Sequence, residues 1–157
     1  MEKQSVVVAA AEEVVSFVWP IAEDDYIRLT SPYGHRNPEE IGGYGDSFHN
    51  GLDIAGVWMA RIVSVADGKV VEHWPAPNGF YKGHPVLGGY IRIDHGDGTE
   101  SKYGHLSSTI VHEGDEVKAG QMIGRQGNTG KSQNAHLHFG LMIDGVEVNP
   151  LKYLDIP

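Results

Sequence analysis

The sequence predicts an all-β protein, and three observations indicate this class. The 157 residues include 21 glycines and 8 prolines, which interrupt helices and favour turns. Short β-type runs follow one another after Pro20, and turn signals separate them. Three of these signals are Asp-Gly dipeptides, whose residues accept the positive φ angles of tight hairpin turns, at residues 67–68, 97–98 and 144–145.

The elements are predicted in chain order. Residues 9–15 allow a short helix, since apolar residues are mixed there with two glutamates. Residues 21–50 contain Pro32, Pro38 and several glycines with little periodicity, so we expect a long loop region of the functional kind. No repeat or linker divides the chain. The predicted strands lie in the runs RIVSVADGKVVEHW, GGYIRIDHGDGT, ESKYGHLSS, HEGDEVKAGQMIGRQGNTG and AHLHFGLMIDGVEV.

Composition excludes several classes of function. The chain has no cysteine, so it has no disulfide, and any metal must be held by His, Asp or Glu. The net charge of −9 argues against a broad nucleic-acid surface, which needs clustered positive charge. Glu12 and Glu13 cut the apolar stretch near the start far below the length of a membrane span. The same stretch lacks the pattern of a secretory signal.

Five of the nine histidines fall in loop or turn contexts and have no partner at ligand spacing. Histidines in such places usually cap a turn or face solvent, so we expect no site role for them. They are His35, His73, His84, His95 and His112.

The other four histidines form suggestive patterns. In NAHLHFGL, His136 and His138 would share one face of a strand. In HNGLD, His49 and Asp53 are four residues apart and can face the same way, while KYGHLSS adds His105. Three ligands from two segments with an open fourth position are typical of catalytic zinc, and further histidines suit proton transfer. Spacing alone leaves a zinc hydrolase and a structural metal site equally open.

Six segments of the chain occur in a recognisable order: SPYGHRNP, FHNGLDIAG, VSVADGKVV, GGYIRIDHGDGTESKYGHLS, EGDEVKAGQMIGRQGNTGKS and HLHFGLMIDGVEVNPLKYL. Together they resemble the lysostaphin-type zinc metallopeptidases, endopeptidases that cut the peptides of bacterial peptidoglycan. The likeness runs from about Trp19 to Leu154. It implies a compact antiparallel β-sheet or sandwich-like domain with a zinc-containing groove.

The resemblance also implies a role for each site residue. One Zn²⁺ would be held by His49, Asp53 and His138, and His105 and His136 would be the catalytic histidines. Zinc would activate a water molecule and polarise the scissile carbonyl, while a histidine takes the proton or stabilises the oxyanion. The sequence leaves open which histidine is the base.

Tyr44 is a further candidate, because some members of the family place a tyrosine shortly before the first zinc histidine to contact the tetrahedral intermediate. Packing would explain Tyr44 equally well. The chain also departs from the family pattern in three places, one of which is VWMARIVSV after DIAG, where the family usually has a glycine-containing turn. Gly140 follows HLHF, where relatives often have an acidic or polar residue, and residues 75–89 form a longer segment that either shapes substrate choice or is a solvent loop.

The resemblance sets the remaining expectations. Residues 1–18 would be an N-terminal extension and residues 19–157 a single peptidase domain. The partners would be peptidoglycan peptides, with no nucleic acid and no membrane span, and we expect a monomer. The expected location is the cell envelope, the exterior or a phage virion. The bond that is cut, in a glycine bridge or in the stem, is left open.

Two other classes fit parts of the sequence. A relative that keeps the fold but only activates another wall enzyme would typically have lost zinc ligands, and this chain retains them. The segments DGKVV and EGDEVKAGQMIG also resemble biotinyl and lipoyl carrier domains. A carrier would need a lysine in a tight hairpin, which is missing here, and would not need four histidines.

Overall fold

The computed structural model describes residues 6–8, 13–35 and 48–157, and strands dominate it. The predicted all-β class is confirmed, and helical structure in these residues is limited to two short 3-10 turns, Glu23–Asp25 and Pro150–Lys152. The strands are β1 (Val6–Val8), β2 (Glu13–Val15), β3 (Tyr26–Ser31), β4 (Gly34–His35), β5 (Phe48–His49), β6 (Leu52–Gly56), β7 (Arg61–Val63), β8 (Gly68–Trp74), β9 (Gly89–Asp94), β10 (Thr99–Thr109), β11 (Glu116–Val117), β12 (Met122–Gln126), β13 (Leu137–Ile143) and β14 (Val146–Val148).

Most strands belong to one large antiparallel sheet. Its main order is β11-β8-β9-β10-β13-β6-β3, with β12 joined to β10 and β7, and β14 joined to β13. The pairs β1-β2 and β4-β5 form two small separate sheets. The strands β13 and β6, which carry the H-x-H motif and Asp53, are therefore neighbours inside the large sheet.

The hydrophobic core is built from alternate residues of these neighbouring strands. Leu137 and Phe139 of β13 and Leu52 and Ile54 of β6 have no solvent exposure. Because successive side chains of a strand point to opposite faces, the residues between them must face the other way. The core thus fixes which face of the sheet carries the polar motif residues.

The strand register brings three of the predicted site residues together. Asp53 on β6 lies opposite His138 on β13, and His138 lies opposite Gly104 on β10. His49 on β5 lies four residues before Asp53, and His105 follows Gly104. Strands β6, β13 and β10 therefore contribute to one short row across the large sheet, and β5 of the small β4-β5 sheet adds His49 beside it.

Two of the three predicted Asp-Gly hairpins are present. Asp144 and Gly145, with φ of 50° and 78°, join β13 to β14 by a two-residue turn. Residues 97–98 lie in the turn between β9 and β10. The third prediction was wrong, because residues 67–68 connect β7 and β8, which pair with different strands.

Two predictions for the N-terminal third need correction. Residues 13–15, placed in a helix from sequence, form strand β2, while residues 9–12 lie outside the described residues. Residues 21–50 are not one long loop, because strands β3, β4 and β5 lie within them. Strand β3 pairs with β6, so this region forms part of the sheet beside the site.

The region around residue 18 contacts the sheet. The backbone N–H of Val18 donates a hydrogen bond to the carbonyl of Val65 at 2.8 Å, and Phe17 packs against the core. The division into an extension and a domain at residues 18 and 19 stays a prediction. Within the part of the chain that the structure describes, no helix has the length and hydropathy that crossing a membrane requires.

His95 proves to be more than a solvated turn residue. Its Nδ1 lies 2.7 Å from the carbonyl of Asp67, and its Nε2 lies 2.9 Å from the hydroxyl of Ser101, which lies 2.7 Å from the hydroxyl of Tyr103. Since Nδ1–H must donate to the carbonyl, a neutral ring leaves Nε2 to accept from Ser101. Burial lowers the pKa of His95 and favours this neutral form.

Candidate metal centre

The H-x-H motif is oriented as the strand pattern predicts. Leu137 is fully buried, while His136 and His138, on either side of it, line a groove on the opposite face. The groove has a volume of about 1040 Å³. Its lining also contains His49, Asp53 and His105, so the structure brings together all five site residues that lie in its described part.

Three ligand atoms converge at the base of this groove. Nε2 of His49 lies 3.2 Å from Oδ1 of Asp53 and 3.3 Å from Nδ1 of His138. Nδ1 of His138 lies 3.1 Å from the same Oδ1. The atoms thus form a nearly equilateral triangle, and His49, Asp53 and His138 are a group of residues that can hold a metal ion.

The size of the triangle fits zinc. Ligand atoms bound tetrahedrally at zinc's usual distances are about 3.3–3.4 Å apart, close to the three separations in this triangle. Two imidazole nitrogens and one carboxylate oxygen are also ligands that zinc accepts. Three protein ligands would leave a fourth tetrahedral position without a protein ligand, which is the ligand count of catalytic rather than structural zinc sites.

The tautomer of His49 favours a cation at this point. Its Nδ1 lies 2.9 Å from the carbonyl oxygen of Pro32, which can only accept, so Nδ1 must carry the proton. In the neutral ring, Nε2 then carries an unprotonated lone pair, and this lone pair faces the carboxylate oxygen of Asp53 with no proton between them. A metal ion relieves this repulsion, and the Pro32 carbonyl holds the ring in the required orientation.

Asp53 is kept ionised by its neighbours. Burial raises the pKa of its carboxyl group, but the close imidazoles of His136, His138 and His49 outweigh burial and hold the pKa far below its usual range. The carboxylate is therefore available as a negatively charged ligand at any physiological pH.

His105 lies beside the triangle because strand β10 is irregular there. The pairing of β10 with β9 shifts register between Tyr103 and Leu106, and His105 has a φ of 64°, unusual for a residue other than glycine. Such a bulge re-aims a side chain, and strained backbone of this kind tends to occur at functional sites. Its N–H donates to the carbonyl of Leu87 at 2.6 Å, which holds the bulge in place.

His105 and His136 are oriented in the same way. Nδ1 of His105 lies 2.7 Å from the carbonyl of Thr129, and Nδ1 of His136 lies 2.7 Å from the carbonyl of Asn134. Each Nδ1 therefore carries a proton, and each neutral ring has a basic Nε2 on its opposite edge. The two rings lie 4.9 Å apart between centroids, and Nε2 of His136 lies 3.5 Å from Oδ1 of Asp53.

The surroundings of His105 keep its ring neutral. Burial is the largest cause that lowers its pKa, and the neighbouring His136 and His138 add to it, although the hydrogen bond to Thr129 acts in the opposite direction. Together they bring the pKa to about 4. At neutral pH His105 is thus a proton acceptor rather than a cation.

Sequence reasoning missed Gly51, the central residue of HNGLD. A Cβ at this position would lie 2.5 Å from Cε1 and 2.6 Å from Nε2 of His138, and 2.9 Å from the carbonyl oxygen of Phe139. Only glycine lets the His138 ring lie against β6 in this way. The glycine between the two predicted ligands was the available signal. Tyr44, the remaining candidate, lies outside the described residues.

Comparison with known proteins gives several relatives. Over 104 residues the chain is 38% identical to the peptidoglycan DD-endopeptidase ShyA of Vibrio cholerae, and this alignment covers 66% of this chain and 22% of ShyA. Over 115 residues it is 40% identical to the murein hydrolase activator NlpD of Escherichia coli, and this alignment covers 73% of this chain and 28% of NlpD. The chain therefore spans less than a third of the length of these curated relatives.

Solved structures agree with the fold. A zinc-containing peptidase from Vibrio cholerae superposes with a TM-score of 0.76 at 28% identity, covering 98% of this chain and 47% of that one. The catalytic domain of lysostaphin from Staphylococcus simulans superposes with a TM-score of 0.66 at 30% identity, covering 80% of this chain and 90% of that domain. The resemblance stated from sequence is confirmed. The model of peptidase family M23 matches residues 47–150, which contain the whole triangle and both further histidines, and the chain belongs to that family.

Proposed function

We propose that this protein is a zinc-dependent endopeptidase that hydrolyses peptide bonds in the stem or cross-bridge peptides of bacterial peptidoglycan. The observation that carries the proposal is the triangle of His49, Asp53 and His138 beside two histidines with basic Nε2 atoms. The likeness to ShyA and to the lysostaphin catalytic domain supports the substrate class.

In this proposal the triangle holds one Zn²⁺ and serves catalysis rather than structure. Bound zinc supplies Lewis acidity, which lowers the pKa of a water molecule toward about 7 and polarises a carbonyl group. The chain's part is to hold His49 through Pro32 and to leave room for His138 at Gly51. Both contacts fix ligand orientation before any metal binds.

His105 and His136 act on protons in this proposal. The Nδ1–H of each ring is fixed on a backbone carbonyl, so its Nε2 is the atom that takes a proton from the attacking water or returns one to the leaving amine. His105, neutral at pH 7 and buried, suits the role of base. His136 lies nearer Asp53, and in its protonated form it would stabilise negative charge on the substrate oxygen.

Several finer parts of the proposal come from the resemblance. Residues 19–157 act as the peptidase domain, the protein acts as a monomer, and its place of action is the cell envelope or the exterior, or a phage virion. Tyr44 contacts the tetrahedral intermediate. Peptides of the wall are the only partners that the proposal requires.

The similarity to NlpD favours one alternative function. NlpD is named as an activator of murein hydrolases, and this chain is 40% identical to it over 115 residues. An activator would stimulate another wall enzyme without using the groove for cleavage. Retention of three convergent ligand atoms and two oriented histidines favours the peptidase, because an activator needs none of them.

Digestion of purified sacculi tests the proposed function. Zinc-loaded protein alone should release muropeptides from sacculi of at least one cross-link chemistry, and their masses identify the cut bond. The Asp53→Ala variant should release no muropeptides, because it lacks the carboxylate ligand that lies close to both His49 and His138. Release by neither protein, together with stimulation of an added wall hydrolase by both, would replace the peptidase with the activator.

A further inference from the structure

The charge of the groove differs from that of the whole protein. The chain has a net charge of −9, yet Arg28 and Lys131 line the groove, and the only carboxylate among its described lining residues is Asp53. Asp53 is already engaged by three histidines. The described wall of the groove is therefore cationic on an acidic protein.

These two cations are available for a ligand. Arg61, Arg92, Lys102 and Lys118 are each held by a carboxylate. By contrast, within the described residues neither Arg28 nor Lys131 makes an ion pair or a side-chain hydrogen bond, and both are exposed. An unpaired arginine in a groove is a preferred partner for a carboxylate, which its guanidinium binds through two parallel hydrogen bonds.

Strand register places Arg28 close to the proposed zinc. Arg28 on β3 lies opposite Ala55 on β6, two residues beyond Asp53 on the same face. Two residues of a strand span roughly 7 Å, and the step from β6 to β3 adds about 5 Å sideways, so Arg28 and Asp53 are separated by roughly 8–9 Å, about the span of two to three residues of an extended peptide. A substrate bound at the triangle would thus present groups to Arg28 from within about two to three residues of the cut bond.

Lys131 lies on a separate, firmly held segment. Its backbone N–H donates to the carbonyl of Val86 at 2.7 Å, and the neighbouring Gly130 packs tightly against Gly88. A Cβ on either glycine would collide with the other segment, so the two loops can approach this closely only because both residues are glycines. The lysine side chain therefore projects from a fixed loop at the groove.

We propose that Arg28 binds a free carboxylate of the substrate peptide and that Lys131 adds positive charge elsewhere along the same groove, so that the groove selects acidic stem peptides over neutral glycine bridges. The proposal rests on the proposed peptidase function and names its substrate class. Stem peptides carry a terminal carboxylate and acidic side chains, whereas an oligoglycine bridge has no side-chain charge. Electrostatic complementarity of this kind mainly sets specificity and encounter rate.

The test uses four synthetic peptides with the zinc-loaded protein: a stem peptide, the same peptide amidated at its C-terminus, the same peptide amidated at its acidic side chain, and an oligoglycine bridge blocked at both ends so that it carries no carboxylate. Arg28→Ala should raise KM for the unmodified stem peptide about tenfold, since a hydrogen bond to a charged group is lost, and leave kcat nearly unchanged. Arg28→Lys should recover part of the loss. Lys131→Ala should act in the same direction, while the matched control Lys69→Ala, an exposed lysine outside the groove, should have no effect.

The two amidated peptides distinguish a C-terminal carboxylate from a side-chain carboxylate. Amidation at the bound carboxylate should raise the wild-type KM and abolish the effect of Arg28→Ala, which identifies the C-terminal or the side-chain group. An Arg28→Ala effect that persists on both amidated peptides, or a glycine bridge cleaved as efficiently as the stem, would overturn the proposal. If wild-type protein cleaves none of the peptides, the proposed function fails by itself, and calorimetric binding of the same peptides to wild type and Arg28→Ala still decides the carboxylate contact.

Discussion

Substitution of Gly51 by alanine should disrupt the metal centre, because the new Cβ would collide with the ring of His138 and lie 2.9 Å from the carbonyl oxygen of Phe139. Gly51 is not among the residues with positive φ, so alanine can adopt its conformation. The new Cβ would nevertheless lie 2.5 Å from Cε1 and 2.6 Å from Nε2 of His138. Carbon atoms pack at about 3.5–4.0 Å, so the imidazole must move by about 1 Å.

A movement of this size is large for a zinc ligand. Metal–ligand distances in a working site lie within about 0.2 Å of their ideal values. Loss of support for a ligand typically costs about 10–100-fold in metal affinity, and we expect Gly51→Ala to lie at or above the upper end. Because cleavage depends on the metal in our proposal, activity at limiting zinc should fall by the same factor.

Zinc affinity measured against a competing chelator is the assay for this prediction. The matched control is Gly79→Ala, because a Cβ at Gly79 has no neighbour within 4 Å and its φ is not positive. The control should bind zinc as the wild type does, and both variants should keep the far-ultraviolet circular dichroism of a β protein. Wild-type affinity in Gly51→Ala would refute the argument that His138 needs the space above Gly51.

Other variants test the remaining parts of the site and the core. His105→Asn should keep zinc and the fold, since asparagine accepts positive φ, while turnover falls by about 10²–10⁴-fold because the proton acceptor is lost; normal turnover would remove His105 from the mechanism. His136→Ala should likewise keep its zinc content. Loss of the metal would mean that His136, and not His138, is the zinc ligand. His95→Gln tests pH dependence: the folded pKa of His95 is lowered, so its stabilising neutral form is complete above the unfolded value of about 6.5 and is lost as pH falls below it. Between pH 7 and 5, the free energy of unfolding measured with urea should therefore fall more steeply for the wild type than for the variant, by up to about 1.4 kcal/mol per pH unit. An equal pH dependence in the two proteins would contradict this. Tyr44→Phe should lower turnover by about 10²-fold if its hydroxyl contacts the oxyanion, and unchanged kinetics would leave it a packing residue.

Sequence predicted the parts of the site that depend on side-chain type and local periodicity. The alternation in HLHF correctly indicated that both histidines would share one face, and the structure shows Leu137 buried on the other. The spacing in HNGLD correctly placed His49 and Asp53 side by side. These patterns are local, so no knowledge of strand order was needed to interpret them.

Features that depend on strand pairing or backbone groups could not be predicted in this way. The carbonyls of Pro32, Thr129 and Asn134 orient three histidines, but a carbonyl has no residue-specific signature in a sequence. The exposed side of β3 has no strict alternation, so its pairing with β6, and the approach of Arg28 to the groove, depended on the fold. The dipeptide at residues 67–68 makes a turn but no hairpin, since pairing partners are set by the whole sheet.

An anomalous-difference map at the zinc edge, from crystals of the zinc-loaded protein, tests the central claim most directly. The account predicts one strong peak bonded to Nε2 of His49, Oδ1 of Asp53 and Nδ1 of His138, each at about 2.0–2.2 Å, with a fourth position open to the groove. Nε2 of His105 and of His136 should lie near that position without bonding to the metal. A peak bonded to His136 in place of His138, or a zinc ion with four protein ligands, would contradict the assignment.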